Sequence, residues 1–75
     1  MQKVVRYDRH ARRRMRWRKI SETEIMTVLK ESDKIEQTLY GRMNAFKTIG
    51  SRYIKVTYKE FESEILVISA VDKSD

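Results

Sequence analysis

Residues 52–58 read RYIKVTY, and this stretch decides the fold because its apolar and polar side chains alternate. Ile54, Val56 and Tyr58 would share one face of a strand, and the residues between them would share the other. Residues 50–51, Gly-Ser, come directly before and predict a tight hairpin turn. We therefore expect antiparallel strands on both sides of this turn.

Three further stretches extend the predicted sheet. Residues 43–49 form the other arm of the hairpin, and residues 35–40 form a strand before it. Residues 65–71, ILVISAV, are apolar on both faces, which is typical of a central strand. The pattern predicts a four-stranded antiparallel sheet over residues 34–71.

The first part of the chain has helical periodicity instead. Asp8 is a typical N-cap and predicts a helix over residues 9–18. Residues 21–24, Ser-Glu-Thr-Glu, form a capping box that opens a second helix ending near residue 31. Residues 1–7 contain a Val-Val pair that allows a short N-terminal strand.

These elements predict one α+β domain over residues 1–75. It would consist of a basic helical pair at 8–31, an antiparallel sheet at 34–71 and a short C-terminal tail at 72–75. We expect both helices on one face of the sheet, because no other element can cover its apolar side. A chain of 75 residues buries roughly 63% of its surface on folding, which is enough for one thin core.

The composition excludes several kinds of site. Cysteine is absent and His10 is the one histidine, so we expect no disulfide, no metal site and no cofactor. The longest run without a charged residue is residues 65–71, which is too short to span a membrane. We therefore expect a cytoplasmic protein.

The charge is concentrated in the first quarter of the chain. Residues 1–20 hold nine basic residues and one acid, a net charge of +8. Residues 21–75 hold eight basic residues and ten acids, a net charge of −2. Such polarity indicates an anionic partner, most commonly a nucleic acid, with an acidic protein as the rival. A membrane partner is not expected, because Ala11 and Met15 make too narrow an apolar stripe to insert.

A helical projection of residues 9–18 places His10, Arg14 and Arg18 in a row beside the apolar stripe. An imidazole that moves protons beside guanidinium groups that hold a phosphate fits phosphodiester cleavage. The alternative is structural, since a lone histidine is more often a surface residue. Arg14 and Arg18 would then lay their stems over the core and pair with acids of the sheet.

Other basic and aromatic residues could bind nucleic acid without cleaving it. Trp17 could stack on a base, although a role at the rim of the core is the more common one. Tyr53 and Lys55 share a strand face that could contact phosphates and bases, or that could simply be a polar outer face. The remaining candidates for nucleic-acid binding are Arg9, Arg12, Arg13, Arg16 and Arg52.

Three segments resemble a small prokaryotic family that is carried as a domain of unknown function. They are the signature HAxxRMxxRxIS at residues 10–21, GxxYxKVxY at residues 50–58 and IxVISA at residues 65–70. Families of this shape resemble the RelE-like and BrnT-like toxin ribonucleases. That resemblance implies a metal-independent endoribonuclease, RNA rather than DNA as the nucleic acid, and an antitoxin protein as partner.

RNA cleavage without a metal needs a base, an acid and a phosphate clamp, and residues of this chain could supply them. His10 would act as acid or base, Arg14 and Arg18 would clamp the phosphate, and Lys55 or Tyr53 would supply the second catalytic group. The chain lacks the C-terminal arginine or tyrosine of such toxins, since it ends in VDKSD. A non-catalytic nucleic-acid-binding or protein-interaction module that uses the first helix stays open as the alternative. The oligomeric state is not determined by the sequence.

Overall fold

The computed structural model describes residues 3–74 and has an α+β architecture. The outer bounds predicted for the domain, residues 1 and 75, lie outside the described residues. In chain order the elements are β1 (Val4–Tyr7), α1 (Arg9–Arg18), α2 (Glu22–Glu31), β2 (Lys34–Gln37), a single 3₁₀ turn (Leu39–Gly41), β3 (Arg42–Ile49), β4 (Arg52–Glu60) and β5 (Glu64–Asp72).

The sheet has five strands in the order β1-β5-β4-β3-β2. The strands β2 to β5 form the expected antiparallel meander, but β1 pairs parallel to β5 at one edge. The predicted four-stranded antiparallel sheet therefore matches β2 to β5 only. The optional N-terminal strand exists and adds a fifth strand, which makes the sheet mixed. Residues 65–71 are apolar on both faces because β5 lies inside the sheet, with β1 on one side and β4 on the other.

The core lies between the helices and one face of the sheet. Alternation along β4 directs Ile54, Val56 and Tyr58 into this core, as the sequence pattern predicts. Their partners from the helices and the neighbouring strands are Ala11, Met15, Ile20, Ile25, Val28, Ala45, Val67 and Ala70. The side chains between the core positions lie on the opposite face, which no helix covers. We call this second face the open sheet face; it carries Phe46, Tyr53, Lys55 and Thr57.

Both helices begin where their capping signals predict. The Asp8 side chain accepts a hydrogen bond from the backbone N–H of His10, 2.7 Å away. Ser21 and Glu24 form the reciprocal capping box at the start of α2. Lys19 ends α1 in a left-handed conformation at φ 57°, so that the chain turns into α2 within three residues.

Two element boundaries in the structure differ from the predicted ones. The strand expected over residues 35–40 ends at Gln37, because Tyr40 and Gly41 adopt left-handed backbone angles of φ 68° and 72°. Two consecutive residues in that conformation cannot continue a strand. At the other end of the chain, Asp72 belongs to β5 rather than to the C-terminal tail.

Candidate nucleic-acid interface

Helix α1 places six arginines around its surface and has no acidic residue within its bounds. Four of them border one shallow groove, whose fifth member is the last residue of β1. We call this the arginine groove; it has a volume of about 480 Å³ and is lined by Tyr7, Arg9, Arg12, Arg13 and Arg16. The first strand and the first helix thus build a basic concavity from residues that are adjacent in the sequence.

One of the groove arginines, Arg12, contacts both α2 and the Tyr7 ring. Arg12 donates to Glu22 across the helix pair at 3.1 Å, and its guanidinium carbon lies 5.0 Å from the centre of the Tyr7 ring. Burial of the Tyr7 hydroxyl, followed by the nearby Glu22 carboxylate, raises the pKa of that phenol, and Arg12 partly opposes the shift. Tyr7 is therefore neutral at physiological pH, and it contributes a phenol hydroxyl and an aromatic ring to the lining of the groove.

The other three groove arginines face solvent. Arg9, Arg13 and Arg16 are exposed, and none of them forms an ion pair with an acid of residues 3–74. Their guanidinium groups retain their hydrogen-bonding capacity for an external anion.

The row of His10, Arg14 and Arg18 lies along the β5 side of α1, where we expected it. Arg14 donates to the Ser69 hydroxyl at 3.2 Å, and Arg18 donates to the Ala70 carbonyl at 2.7 Å. The two arginines thus bind β5, but through a hydroxyl and a backbone carbonyl rather than through acids of the sheet. The His10 side chain is exposed and has no hydrogen-bond partner within the described chain.

The remaining catalytic candidates lie on the other side of the sheet. Tyr53 and Lys55 are on the open sheet face, whereas α1 and its His10 lie over the opposite face. Tyr53 stacks on Phe46 with a centroid distance of 5.7 Å. The structure therefore separates the five residues predicted to be catalytic into two groups with the sheet between them.

Comparison with known families gives a match over most of the chain. The model of a family described as a domain of unknown function, DUF4258, matches residues 7–72. The chain belongs to the DUF4258 family. No curated protein and no solved structure shows significant similarity to it. The match therefore includes both helices and the strands β2 to β5, but only the last residue of β1. The family description assigns no activity.

Two further findings concern the described part of this DUF4258 domain. No helix within residues 3–74 is long and apolar enough to cross a membrane. Within the same range, no three His, Cys, Asp or Glu side chains lie close enough together to hold a metal ion.

Arg52 has a different position from the one expected for a nucleic-acid contact. It faces the helices, and its guanidinium donates to Glu24 at 2.9 Å and to Asp72 at 3.2 Å. It also donates to the backbone carbonyls of Arg18 and Lys19, both at 3.3 Å. We call this the Arg52 clamp, because it joins the end of α1, the start of α2 and the C-terminal end of β5.

Replacing Arg52 with alanine is expected to lower the free energy of unfolding of this DUF4258 domain by about 2–3 kcal/mol. The loss removes several charge-assisted hydrogen bonds and leaves two half-buried carboxylates without their cation. Chemical denaturation would measure it as a shift of the midpoint at constant slope. Arg42→Ala is the matched control, since Arg42 begins the neighbouring strand and is exposed. Equal stability of the wild type and Arg52→Ala would contradict the clamp.

The Asp72 carboxylate makes the clamp sensitive to acid. Hydrogen bonds from the Ser74 hydroxyl and N–H, and then from Arg52, lower the pKa of Asp72 to about 2. Because this folded-state pKa lies below the unfolded value of about 3.9, the contribution is complete above about pH 5 and is lost as the pH falls through 2. The midpoint of urea unfolding of Asp72→Asn should therefore depend less on pH between 4 and 2 than that of the wild type. If the plots of midpoint against pH ran parallel for the wild type and Asp72→Asn, Asp72 would not contribute to the pH dependence of stability.

Sequence reasoning missed Tyr7 and Glu22 as parts of the interface. Tyr7 directly precedes the N-cap of an arginine-rich helix, and an aromatic residue in that place is a signal for a cation–π contact. Glu22 gave no separate signal, because an acid in the first turn of a helix is already explained by the helix dipole.

Proposed function

We propose that this chain is an RNA-binding protein that holds the phosphate backbone in the arginine groove. The observation that carries this proposal is the set of three exposed groove arginines without an acidic partner in residues 3–74. Structural arginines normally pair with acids or carbonyls, as Arg52 and Arg18 do. Arginines that line a concavity without such partners are suited to phosphate groups.

The spacing of these arginines fits a nucleic-acid strand. From Arg9 to Arg16 the helix advances ~10 Å, which corresponds to about three phosphates of a stacked strand. Trp17 follows directly and is 78% exposed. The Arg18 guanidinium carbon lies 5.9 Å from the centre of its ring, and a base could stack on the exposed part of the indole. The groove would thus bind the backbone, with Trp17 beside it for an unstacked base.

RNA is proposed rather than DNA because of the resemblance to toxin ribonucleases. The test is fluorescence anisotropy with a labelled single-stranded RNA and the matching DNA over a range of salt concentrations. We expect the RNA affinity to fall steeply with salt, with a log–log slope of about −2 or steeper for three phosphate contacts. An affinity that does not change with salt would refute backbone binding, and tighter binding of the DNA would refute the choice of RNA.

A second candidate, metal-independent RNA cleavage of the toxin type, is favoured by the position of His10. Its exposed imidazole lies one helical turn before both Arg13 and Arg14, which are its neighbours on the helix surface. A phosphate bound there would lie next to a group that can transfer a proton. In such cleavage the RNA 2′-hydroxyl attacks phosphorus, the 5′-oxygen leaves, and an acid or base moves the proton.

A partner protein of antitoxin type would use the same surface. An acidic segment that enters the arginine groove would replace the phosphates and block RNA binding. The prediction that follows is competition, in which RNA and the acidic partner do not bind at the same time.

A further inference from the structure

Strand β2 forms an edge of the sheet, and its four residues are all exposed. The N–H of Thr38 donates to the Arg42 carbonyl at 2.8 Å, which fixes the orientation of the β2 backbone. Because backbone groups alternate in direction along an antiparallel strand, Lys34 and Glu36 bond towards β3. Ile35 and Gln37 therefore direct their N–H and C=O groups away from the sheet, where no strand of the described chain pairs with them.

The shortness of β2 and its charged residues Lys34 and Glu36 are features that usually protect an edge strand from pairing with another chain. Proline is absent from β2, however, and its two charges have opposite signs, so a strand with the complementary pattern is not repelled. Here Ile35 is 50% exposed, and the turn that follows β2 exposes Leu39 by 77% and Tyr40 by 86%. Tyr40 is also held in the left-handed conformation at φ 68°, which is uncommon for a residue other than glycine, asparagine or aspartate.

The charges along β2 are complementary to those of a second copy of the same strand. If two β2 strands pair antiparallel about a two-fold axis at Ile35, each Ile35 lies opposite the other and exchanges both backbone hydrogen bonds. Lys34 of each copy then lies opposite Glu36 of the other, which gives two cross-strand pairs of opposite charge. A two-fold axis at Glu36 would instead place the Glu36 carboxylates of the two copies opposite each other, and these carry like charges.

We propose that this chain forms a two-fold symmetric dimer through antiparallel pairing of β2 at Ile35, which joins the two sheets into one of ten strands. In the single chain Lys34 pairs with its own Glu36 at 3.1 Å, on the open sheet face. The dimer uses the same two side chains and adds the unsatisfied backbone groups of Ile35. Because the strand order places β5 far from β2, the two α1 helices lie towards opposite ends of the joined sheet.

The first test replaces Ile35 with proline and measures mass by sedimentation from micromolar to near-millimolar concentration. Proline removes an N–H that points away from β3, so the ladder within one chain keeps its hydrogen bonds. We expect a dimer for the wild type and a monomer with retained circular dichroism for Ile35→Pro. A monomeric wild type over the whole range, or a folded Ile35→Pro that still dimerises, would overturn the proposal.

A second set of variants keeps the test decisive if Ile35→Pro does not fold. Lys34→Glu and Glu36→Lys each create two pairs of like charge across the axis, and each is expected to weaken the dimer at least tenfold. The double variant Lys34→Glu/Glu36→Lys restores opposite charges and should recover the dimer. Failure of the double variant to recover it would show that β2 does not pair in this register.

Discussion

Replacing Arg9, Arg13 and Arg16 together with glutamine is expected to weaken RNA binding several-hundred-fold at low salt. Each phosphate contact to a single strand contributes about 0.7 to the slope of log affinity against log salt. Loss of three contacts therefore lowers the slope by about 2, with an affinity loss of roughly 500-fold at 50 mM salt and about 30-fold at 200 mM. Glutamine keeps the helix propensity of arginine, so α1 should remain folded.

The control for this triple variant removes the same charge elsewhere. Lys30, Arg42 and Lys73 are exposed and lie outside the arginine groove. Changing these three to glutamine lowers the net charge equally, so it reports the general electrostatic attraction alone. We expect the control to lose at most a few-fold in affinity. Equal losses for the two triple variants would mean that RNA responds to net charge and does not bind in the groove.

Replacing His10 with alanine is expected to lower the rate of RNA cleavage in EDTA by at least 100-fold. Removal of a general acid or base typically costs a factor of 10² to 10⁴. The fold should be unaffected, because Asp8 caps α1 through the backbone N–H of residue 10 and not through the imidazole. Cleavage products would be separated on denaturing gels, and RNA affinity would be measured in parallel.

Two controls identify the chemistry of that reaction. A substrate with a single 2′-deoxy sugar at the cleavage position should resist the wild type, because the nucleophile is then absent. Lys55→Ala should cleave at the wild-type rate, because Lys55 lies on the open sheet face, across the sheet from His10. Wild-type activity in His10→Ala would refute the role of His10, and binding without cleavage by the wild type would leave RNA binding as the function.

Local signals predict the helices well and the first strand poorly. Asp8, Ser21 and Glu24 determine the helix starts through contacts within three residues, so the sequence is sufficient to place them. The pairing of β1 with β5 joins residues 60 positions apart, and no local pattern indicates whether such a strand is parallel. The left-handed conformation of Tyr40 could not be predicted from the sequence either, because tyrosine is not a typical residue for that conformation.

The candidate site was predicted by residue type but not by arrangement. Alternation along β4 already places Arg52 with Ile54 on the core side and Tyr53 on the other side. The structural role of Arg52 could therefore have been predicted from the sequence of this strand. The helical projection correctly placed Arg14 and Arg18 beside the core. Their bonds to Ser69 and Ala70 depend on how α1 lies on β5, which is a tertiary feature.

The dependence of α1 on β5 has a consequence for how the chain folds during synthesis. Helix α1 is made before β5, the strand against which it packs most extensively, and about 45 residues of chain separate the two elements. An isolated ten-residue helix is marginal in water, and this one carries six like charges. The basic segment therefore emerges from the ribosome as an unfolded, strongly cationic chain, and it becomes a helix with an ordered surface only after translation of β5 is complete.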